Sequence, residues 1–226
     1  MSKMQGQELI SVVIVAKNEQ KIIKACVENV MTLTYGNKEI IVIDNGSTDR
    51  MPEILSAFKG IKIIRTLGTL GSARNVGWKA AKGKFICFVD ADNLLPEDYL
   101  QKMLTNYKEG VGIIGSRHVA MKKGFFSSSY DLSLHLTKRL YITRRGQPRA
   151  VGASGAIFLR EALERVGGFD DVMFGEDGRF CVKARQMGYR IAYTSNTFNY
   201  HDFPSNFIIW RKKCMKGGTC PHGLRR

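Results

Sequence analysis

A chain of 226 residues, 44% of them hydrophobic, has enough apolar material for one sizeable core, so a single large domain is expected. Its apolar runs are short and interrupted, which excludes a bilayer-spanning segment, and Met1–Glu8 lacks the apolar stretch of a signal peptide, so a cytoplasmic location is expected. The net charge of +15 calls for an anionic partner, whether nucleic acid, an acidic membrane surface or a phosphorylated substrate, and five cysteines at irregular spacing exclude a disulfide framework.

In chain order, Ile10–Val15 is a short apolar run rich in β-branched residues and predicts a first strand. Ala16-Lys17-Asn18-Glu19 follows as a loop, and Gln20–Leu33 places Ile22, Ile23, Cys26, Val27 and Val30 on one face of a helix. Glu39–Ile43 predicts a second strand ending at Asp44, then an Asn45–Asp49 turn and a helix with Pro52 in its first turn. Ile61–Ile64 is a third strand, Ser72–Lys82 a helix carrying Arg74 and Asn75, and Phe85–Val89 a fourth strand that runs straight into Asp90-Ala91-Asp92. Strands alternating with helices at this spacing give an α/β fold, a mostly parallel sheet with helices on both faces. Parallel strands bring Lys17, Asn18, Glu19, Asp44, Asn45, Asp49, Asp90 and Asp92 to one edge of that sheet, where ligands bind in open α/β folds.

The second half has a weaker pattern. Glu97–Tyr107 is expected to be helical, Gly112–Ser116 a strand, Ala156–Leu159 a strand, Arg160–Val166 a helix, Glu176–Met187 a helix and Arg190–Tyr193 a short last strand, with His201 beyond it. Between these lies a long basic segment carrying Lys122, Lys123, Lys138, Arg139, Arg144, Arg145 and Arg149 against the single acid Asp131. A change of composition near Pro204 places the domain at 1–204, with a donor-binding half to about residue 95, a catalytic half after it, and a basic tail over 205–226. In the tail, Phe207–Trp210 beside Arg211, Lys212 and Lys213 has the composition of an interfacial membrane anchor. Cys214, Cys220 and His222 are too few, at C-x5-C-x-H, for a tetrahedral zinc site.

Two carboxylates one residue apart at a strand end suit a hard divalent cation, which typically takes one or two carboxylates and fills its other positions with phosphate oxygens and water. The ordered set Val13–Glu19, Ile43–Asp49, Ala73-Arg74-Asn75, Asp90-Ala91-Asp92, Gly167-Gly168-Phe169-Asp170 and Glu176-Asp177 resembles the inverting family 2 glycosyltransferases with their GT-A nucleotide-sugar fold. The resemblance implies a nucleoside-diphosphate sugar as donor, UDP-linked in the usual case, and a manganese or magnesium ion. It implies that Asp44 pairs with the nucleobase and that Val15, Lys17 and Glu19 contact base and ribose. Arg74 would lie near the nucleotide. Asp92 would ligate the metal, with Asp90 and Ala91 beside it and His201 as a further ligand. Asp177 would be the catalytic base, with Glu176 next to it. The acceptor would be a glycan or a lipid-linked group, on the cytoplasmic face of a membrane if the basic tail docks there. Related folds also carry retaining transferases and nucleotidyltransferases; the glycine-rich loop of the latter is missing after the first strand. A nucleic-acid-binding protein is the alternative that charge alone allows, but the acids line the sheet edge and the bases lie in one segment and the tail. No G-x-G-x-x-G follows the first strand and no P-loop is present.

Overall fold

The computed structural model describes residues 8–121 and 148–201. The expectations for the basic segment between these spans, for the boundary at Pro204 and for the tail fall mostly or wholly outside the described residues. One eight-stranded sheet organises the rest. Strand β1 (Ile10–Ala16) is buried at every residue, as a continuous apolar run must be in a sheet covered on both faces. It pairs in parallel with β2 (Lys38–Asp44) on one side and β4 (Phe85–Asp90) on the other, and β2 pairs in parallel with β3 (Lys62–Arg65). Beyond β4 come β7 (Ile157–Leu159), β6 (Val111–Ala120), β8 (Arg190–His201) and β5 (Asn93–Leu94), in that order. β7 runs antiparallel to both its neighbours, β8 parallel to β6, and β5 antiparallel to β8.

The helices are α1 (Ile23–Thr32), α2 (Met51–Ser56), α3 (Leu70–Ala80), α4 (Tyr99–Leu104), α5 (Arg160–Val166) and α6 (Glu176–Gln186). α3 packs on β1 and β2, α4 on β6 and β8, and α5 on β7. Phe88, Phe158, Phe169 and Phe180 form a cluster of edge-on and tilted rings with centroids 5.0–5.5 Å apart. This cluster joins β4, β7, the loop after α5 and α6 into one core. Among the described residues no helix is long and apolar enough to cross a membrane.

The fold is the mostly parallel α/β sheet expected, with corrections at element ends. α1 starts at Ile23 rather than Gln20, because the Gln20 backbone N–H donates to Asp49 at 3.0 Å and its side chain accepts from the Arg50 N–H at 3.0 Å. Gln20 is thereby committed to the neighbouring loop. α4 is shorter than Glu97–Tyr107 because the Glu97 carbonyl accepts from both the backbone and the hydroxyl of Thr34. The largest difference is β8. It continues through Tyr193 to His201, so His201 ends a strand instead of following one. Thr194–Asn199 shows no apolar alternation, and β8 persists there because β6 also runs on to Ala120 and supplies the ladder, across a bulge at Ser116/Arg117. The two-residue β5, which pairs Asn93 with His201, had no sequence signal of its own.

Gly71, in the first turn of α3, lies against the chain leading to α6. A Cβ there would run into the Asp170 carbonyl and touch the Glu176 Cβ at 3.4 Å. Gly71→Ala is therefore an overpacking substitution, expected to lower stability by about 1–3 kcal/mol. Urea unfolding reads this directly, and an unchanged midpoint would mean that the two segments separate freely.

Candidate active site

Three loops at the carboxyl ends of the parallel strands are tied to one another by side chains. In register, Ala16 pairs with Asp44 and Val15 with both Ile43 and Asp90, so the three strand ends are level. Asn18 has a left-handed backbone, φ 56°, a region that Asn tolerates better than most residues. From there its N–H donates to Ser47 Oγ at 2.9 Å and its Oδ1 accepts from the Thr48 N–H at 2.8 Å. Asn45 reaches the third loop, donating to the Gly68 carbonyl at 2.9 Å and accepting from the Gly68 N–H at 3.0 Å. Asp44 is buried; its Oδ1 accepts from the Ser47 N–H at 2.8 Å and its Oδ2 lies 3.8 Å from Arg65 Nε. Lys17 is exposed, Glu19 half-buried, and Val15 buried in the sheet.

The acids at the end of β4 occupy different settings. Asp90 receives a hydrogen bond from Arg74 Nη2 at 3.0 Å, and its backbone N–H donates to Ser154 Oγ at 3.1 Å. Ala91 is buried, and the pairing of Asn93 with His201 carries Asp92 to the end of β8. There Asp92 Oδ1 lies 3.6 Å from His201 Nε2, and the His201 ring meets the His118 ring edge-on with centroids 6.0 Å apart. Beneath these acids lies Cys26, whose thiol is 3.8 Å from the Asp90 carbonyl. Burial, reinforced by the charges of Asp92 and Asp90, pushes this thiol up to about 12.

Arg74 is the charged centre of the site. Its side chain is only 3% exposed, and it holds Asp90 with one guanidinium nitrogen and Glu176 with another. Glu176, equally buried, is the first residue of α6. Its carboxylate faces Arg74 instead of the open edge, whereas Asp177, one residue on, is half-buried and turned outward. Asp177 Oδ2 accepts from the Ala153 N–H at 3.2 Å and Oδ1 from the Gly178 N–H at 2.7 Å. Asn75, next to Arg74, clamps Phe169: its amide donates to the Phe169 carbonyl at 2.8 Å and accepts from the Phe169 N–H at 2.8 Å. The adjacent Arg and Asn thus fix both ends of the loop that delivers Asp177.

The structure brings Asp90, Asp92, Arg74, Glu176 and His201 together around the end of β4, with Asp177 and Asp44 on either side. Sequence reasoning missed His118 and Ser154. His118 lies on a strand extension that no apolar pattern marked, and Ser154 belongs to a loop whose hydrogen bond to Asp90 depends on a sheet pairing, β4 with β7, that spacing does not reveal.

A cation would fit the donor set at Asp92. One hard carboxylate and one imidazole, brought within 3.6 Å by the β5–β8 ladder, suit manganese or magnesium completed by phosphate oxygens and water. Among the described residues no group of three or more His, Cys, Asp or Glu side chains converges as a self-sufficient cage. Asp90 is engaged by Arg74 and can act only through its second oxygen or through water.

Comparison with known proteins adds four findings. The family description Glycosyl transferase family 2 matches residues 11–167. Poly-beta-1,6-N-acetyl-D-glucosamine synthase of Staphylococcus epidermidis is 26% identical, over 94% of this chain and 54% of that protein. In structure, the Pyrobaculum calidifontis mannosyltransferase PcManGT, in complex with GDP-Man and Mn2+, superposes with a TM-score of 0.71 at 21% identity, covering 94% of this chain and 66% of that one. S. aureus TarS residues 1–349, in complex with UDP-GlcNAc, superposes with a TM-score of 0.67 at 22% identity, covering 88% of this chain and 60% of that one. The fold is thus of the GT-A type. The chain spans 32% of one curated relative and 54% of another, each matched over most of this chain.

Arg74→Ala should be strongly destabilising. It leaves Glu176 buried without its cation, and breaking a buried pair from one side costs about 3–5 kcal/mol. Glu176→Gln keeps an oxygen for Arg74 and should cost less. Equal, small losses for both in denaturant titration would show that the pair is solvated in solution.

Proposed function

Since the chain belongs to glycosyl transferase family 2, we propose that it moves a hexose or N-acetylhexosamine from a nucleoside-diphosphate sugar, UDP-linked, to an acceptor hydroxyl, with inversion and with the help of manganese or magnesium. The observation that carries this is the position of Asp177. It is held by two backbone N–H groups, one of them from the loop whose Ser154 bonds Asp90, and so is fixed with no cation paired to it among the described residues. Such a carboxylate can accept the proton of an attacking hydroxyl. In the reaction the acceptor oxygen forms a bond to the anomeric carbon while its proton passes to Asp177. The bond from the anomeric carbon to the diphosphate oxygen breaks, and the nucleoside diphosphate leaves with that electron pair. One displacement inverts the carbon. A cation bound at Asp92 and His201 would neutralise the charge that develops on the leaving diphosphate. Arg74 keeps Asp90 oriented for the ribose or the metal-bound water.

Asp44, with the interlocked loops around Asn18 and Asn45, is suited to a nucleobase, and Lys17 and Glu19 follow β1 at the same sheet edge. The complexes of the two structural neighbours with GDP-Man and UDP-GlcNAc, and the name of the S. epidermidis relative, support a nucleotide-sugar donor and a glycan acceptor. A lipid-linked acceptor, reached at an anionic membrane surface through the basic tail, is the other form this reading takes; the tail's charge favours it.

Diphosphate release from a panel of UDP-sugars and GDP-mannose, in manganese, magnesium or chelator, tests the reading. Asp92→Ala should abolish transfer and the metal-dependent part of UDP binding; an Asp92 variant fully active in chelator would overturn the metal's role. Asp177→Asn should keep UDP binding and lose roughly 10²–10⁴-fold in turnover, the usual contribution of a positioned base. A wild-type rate for that variant would assign the base elsewhere. Asp44→Ala should weaken UDP binding by about 1–3 kcal/mol, the loss expected for a hydrogen bond to a charged group; an unchanged dissociation constant would place Asp44 outside the nucleotide pocket. The anomeric configuration of the product decides between inversion and retention.

A further inference from the structure

Residues 153–156 form one tight turn, closed by the Ala156 N–H donating to the Ala153 carbonyl at 2.9 Å. Gly155, its third residue, has φ +72°, the left-handed value that glycine adopts at the third position of a type II turn. The turn reaches both sides of the site. Its first residue, Ala153, donates its N–H to Asp177 Oδ2 at 3.2 Å. Its second, Ser154, takes the Asp90 N–H on its hydroxyl at 3.1 Å. Its third, Gly155, donates its N–H to the Phe88 carbonyl at 2.7 Å, which ties the turn to β4. One short stretch of backbone thus links the carboxylate proposed as base to the strand end that leads into Asp92.

Two buried side chains hold this turn. Tyr99, the first residue of α4, is fully buried, and its hydroxyl donates to the Gly155 carbonyl. With that proton committed, the same oxygen accepts from Ser116 Oγ of β6 at 2.6 Å. Burial pushes the hydroxyl well above the usual tyrosine range, so it keeps its proton and remains a donor. Asn199 of β8, also fully buried, donates its amide to the Ser154 carbonyl at 3.2 Å. The peptide between Ser154 and Gly155 is the one whose rotation changes the type of a turn, so Asn199 opposes that rotation and Tyr99 fixes the peptide after it. The fit is close. A Cβ on Gly155 would run into the Asn199 amide and come within 2.9 Å of the Tyr99 hydroxyl.

We infer that Tyr99 and Asn199 are positioning residues of the transfer reaction: by locking the 153–156 turn they set where the Asp177 carboxylate stands relative to the end of β4. This rests on the transferase reading above and extends it to two side chains that act through the turn. Of the two described donors to the Asp177 carboxylate, Gly178 lies on the same helix as Asp177 itself. The bond from Ala153 is therefore the one that ties this carboxylate to another element. When the peptides of the turn rotate, the Ala153 N–H loses its aim and the carboxylate loses its anchor, while Arg74 still holds Asp90 and Glu176. A displacement of about 1 Å in a reacting group costs up to roughly a hundredfold in rate.

The experiment uses the full chain in manganese and has two readouts, one of them independent of turnover. Tyr99→Phe removes the hydroxyl and keeps the packed ring. Amide hydrogen exchange, followed by NMR, should quicken roughly tenfold at Ala153 and Ala156, the scale of one lost hydrogen bond, while the amides of β1 and β2 keep their rates. Turnover is read as diphosphate release from UDP-GlcNAc and GDP-Man. There kcat should fall roughly ten- to a hundredfold, with donor KM and calorimetric UDP affinity unchanged. In the Asp177→Asn background the same substitution should change the residual rate by less than about twofold, because the group it positions is gone. Asn199→Ala should reproduce both effects, and it carries the test where Tyr99→Phe does not fold. Unaltered exchange at Ala153 in both variants overturns the lock. Equal falls in kcat in the two backgrounds overturn the positioning role, since Tyr99 would then serve the fold alone. A weakened UDP affinity also overturns it, since the turn would then serve the donor. No diphosphate release from either nucleotide sugar by the unsubstituted chain counts against the transferase reading itself, and the positioning role falls with it whatever the exchange shows.

Discussion

A guanidinium in the interior must be surrounded by negative charge, because an unpaired buried charge costs several kcal/mol even after relaxation. Arg74 meets this condition with carboxylates from two distant parts of the chain, Asp90 at the end of β4 and Glu176 at the start of α6. Neither acid can move far without stranding the charge of Arg74. β4, which ends at Asp90, and α6, which carries Asp177, are thus fixed relative to each other through one side chain. The neighbouring Asn75 adds a second tie by clamping the backbone of Phe169, whose ring enters the aromatic cluster shared by β4, β7 and α6. Polar and apolar restraints therefore converge on the loop before α6.

This arrangement separates two adjacent acids by role. Glu176 and Asp177 follow Gly175, whose left-handed backbone, φ 76°, turns the chain into α6. Consecutive residues on a helix face directions about 100° apart. One carboxylate therefore points into the core toward Arg74 and the other toward the Ala153 N–H. Both acids sit in the first turn of α6, where the helix dipole favours negative charge. Asp177 is also held by two N–H donors, those of Ala153 and Gly178.

The first half of the chain was legible because its signals are local. β1, β2 and β4 are apolar runs, the last two ending in acids, and a parallel sheet with level strand ends needs nothing else to gather Asp44, Asp90 and Asp92 on one edge. The other half was less legible because its determinants are long-range. β8 holds a polar stretch in extended form by pairing with β6, and β5 exists by pairing with β8; neither has a period to read. Arg74 shows the same limit at the level of one residue. The resemblance put it near the nucleotide but gave no partner for it, and the structure shows it pairing acids 16 and 102 positions away in sequence. The tertiary fold, which sequence spacing does not encode, decides which carboxylates a buried cation meets.

The same long-range pairing explains why the imidazoles lie where they do. His201 comes beside Asp92 because Asn93 pairs with His201 across the β5–β8 ladder, so the residue preceding Asn93 is carried to the end of β8. His118 comes beside His201 because β6 and β8 resume pairing after their bulge with His118 opposite Asn199, two residues short of His201 and on the same face. Shifting that register by one residue would put the two rings on opposite faces of the sheet. The bulge at Ser116/Arg117 is therefore more than a local irregularity. It sets the phase of the strand extension, and with it which side of the sheet presents the imidazoles to the edge where Asp92 and Asp177 stand.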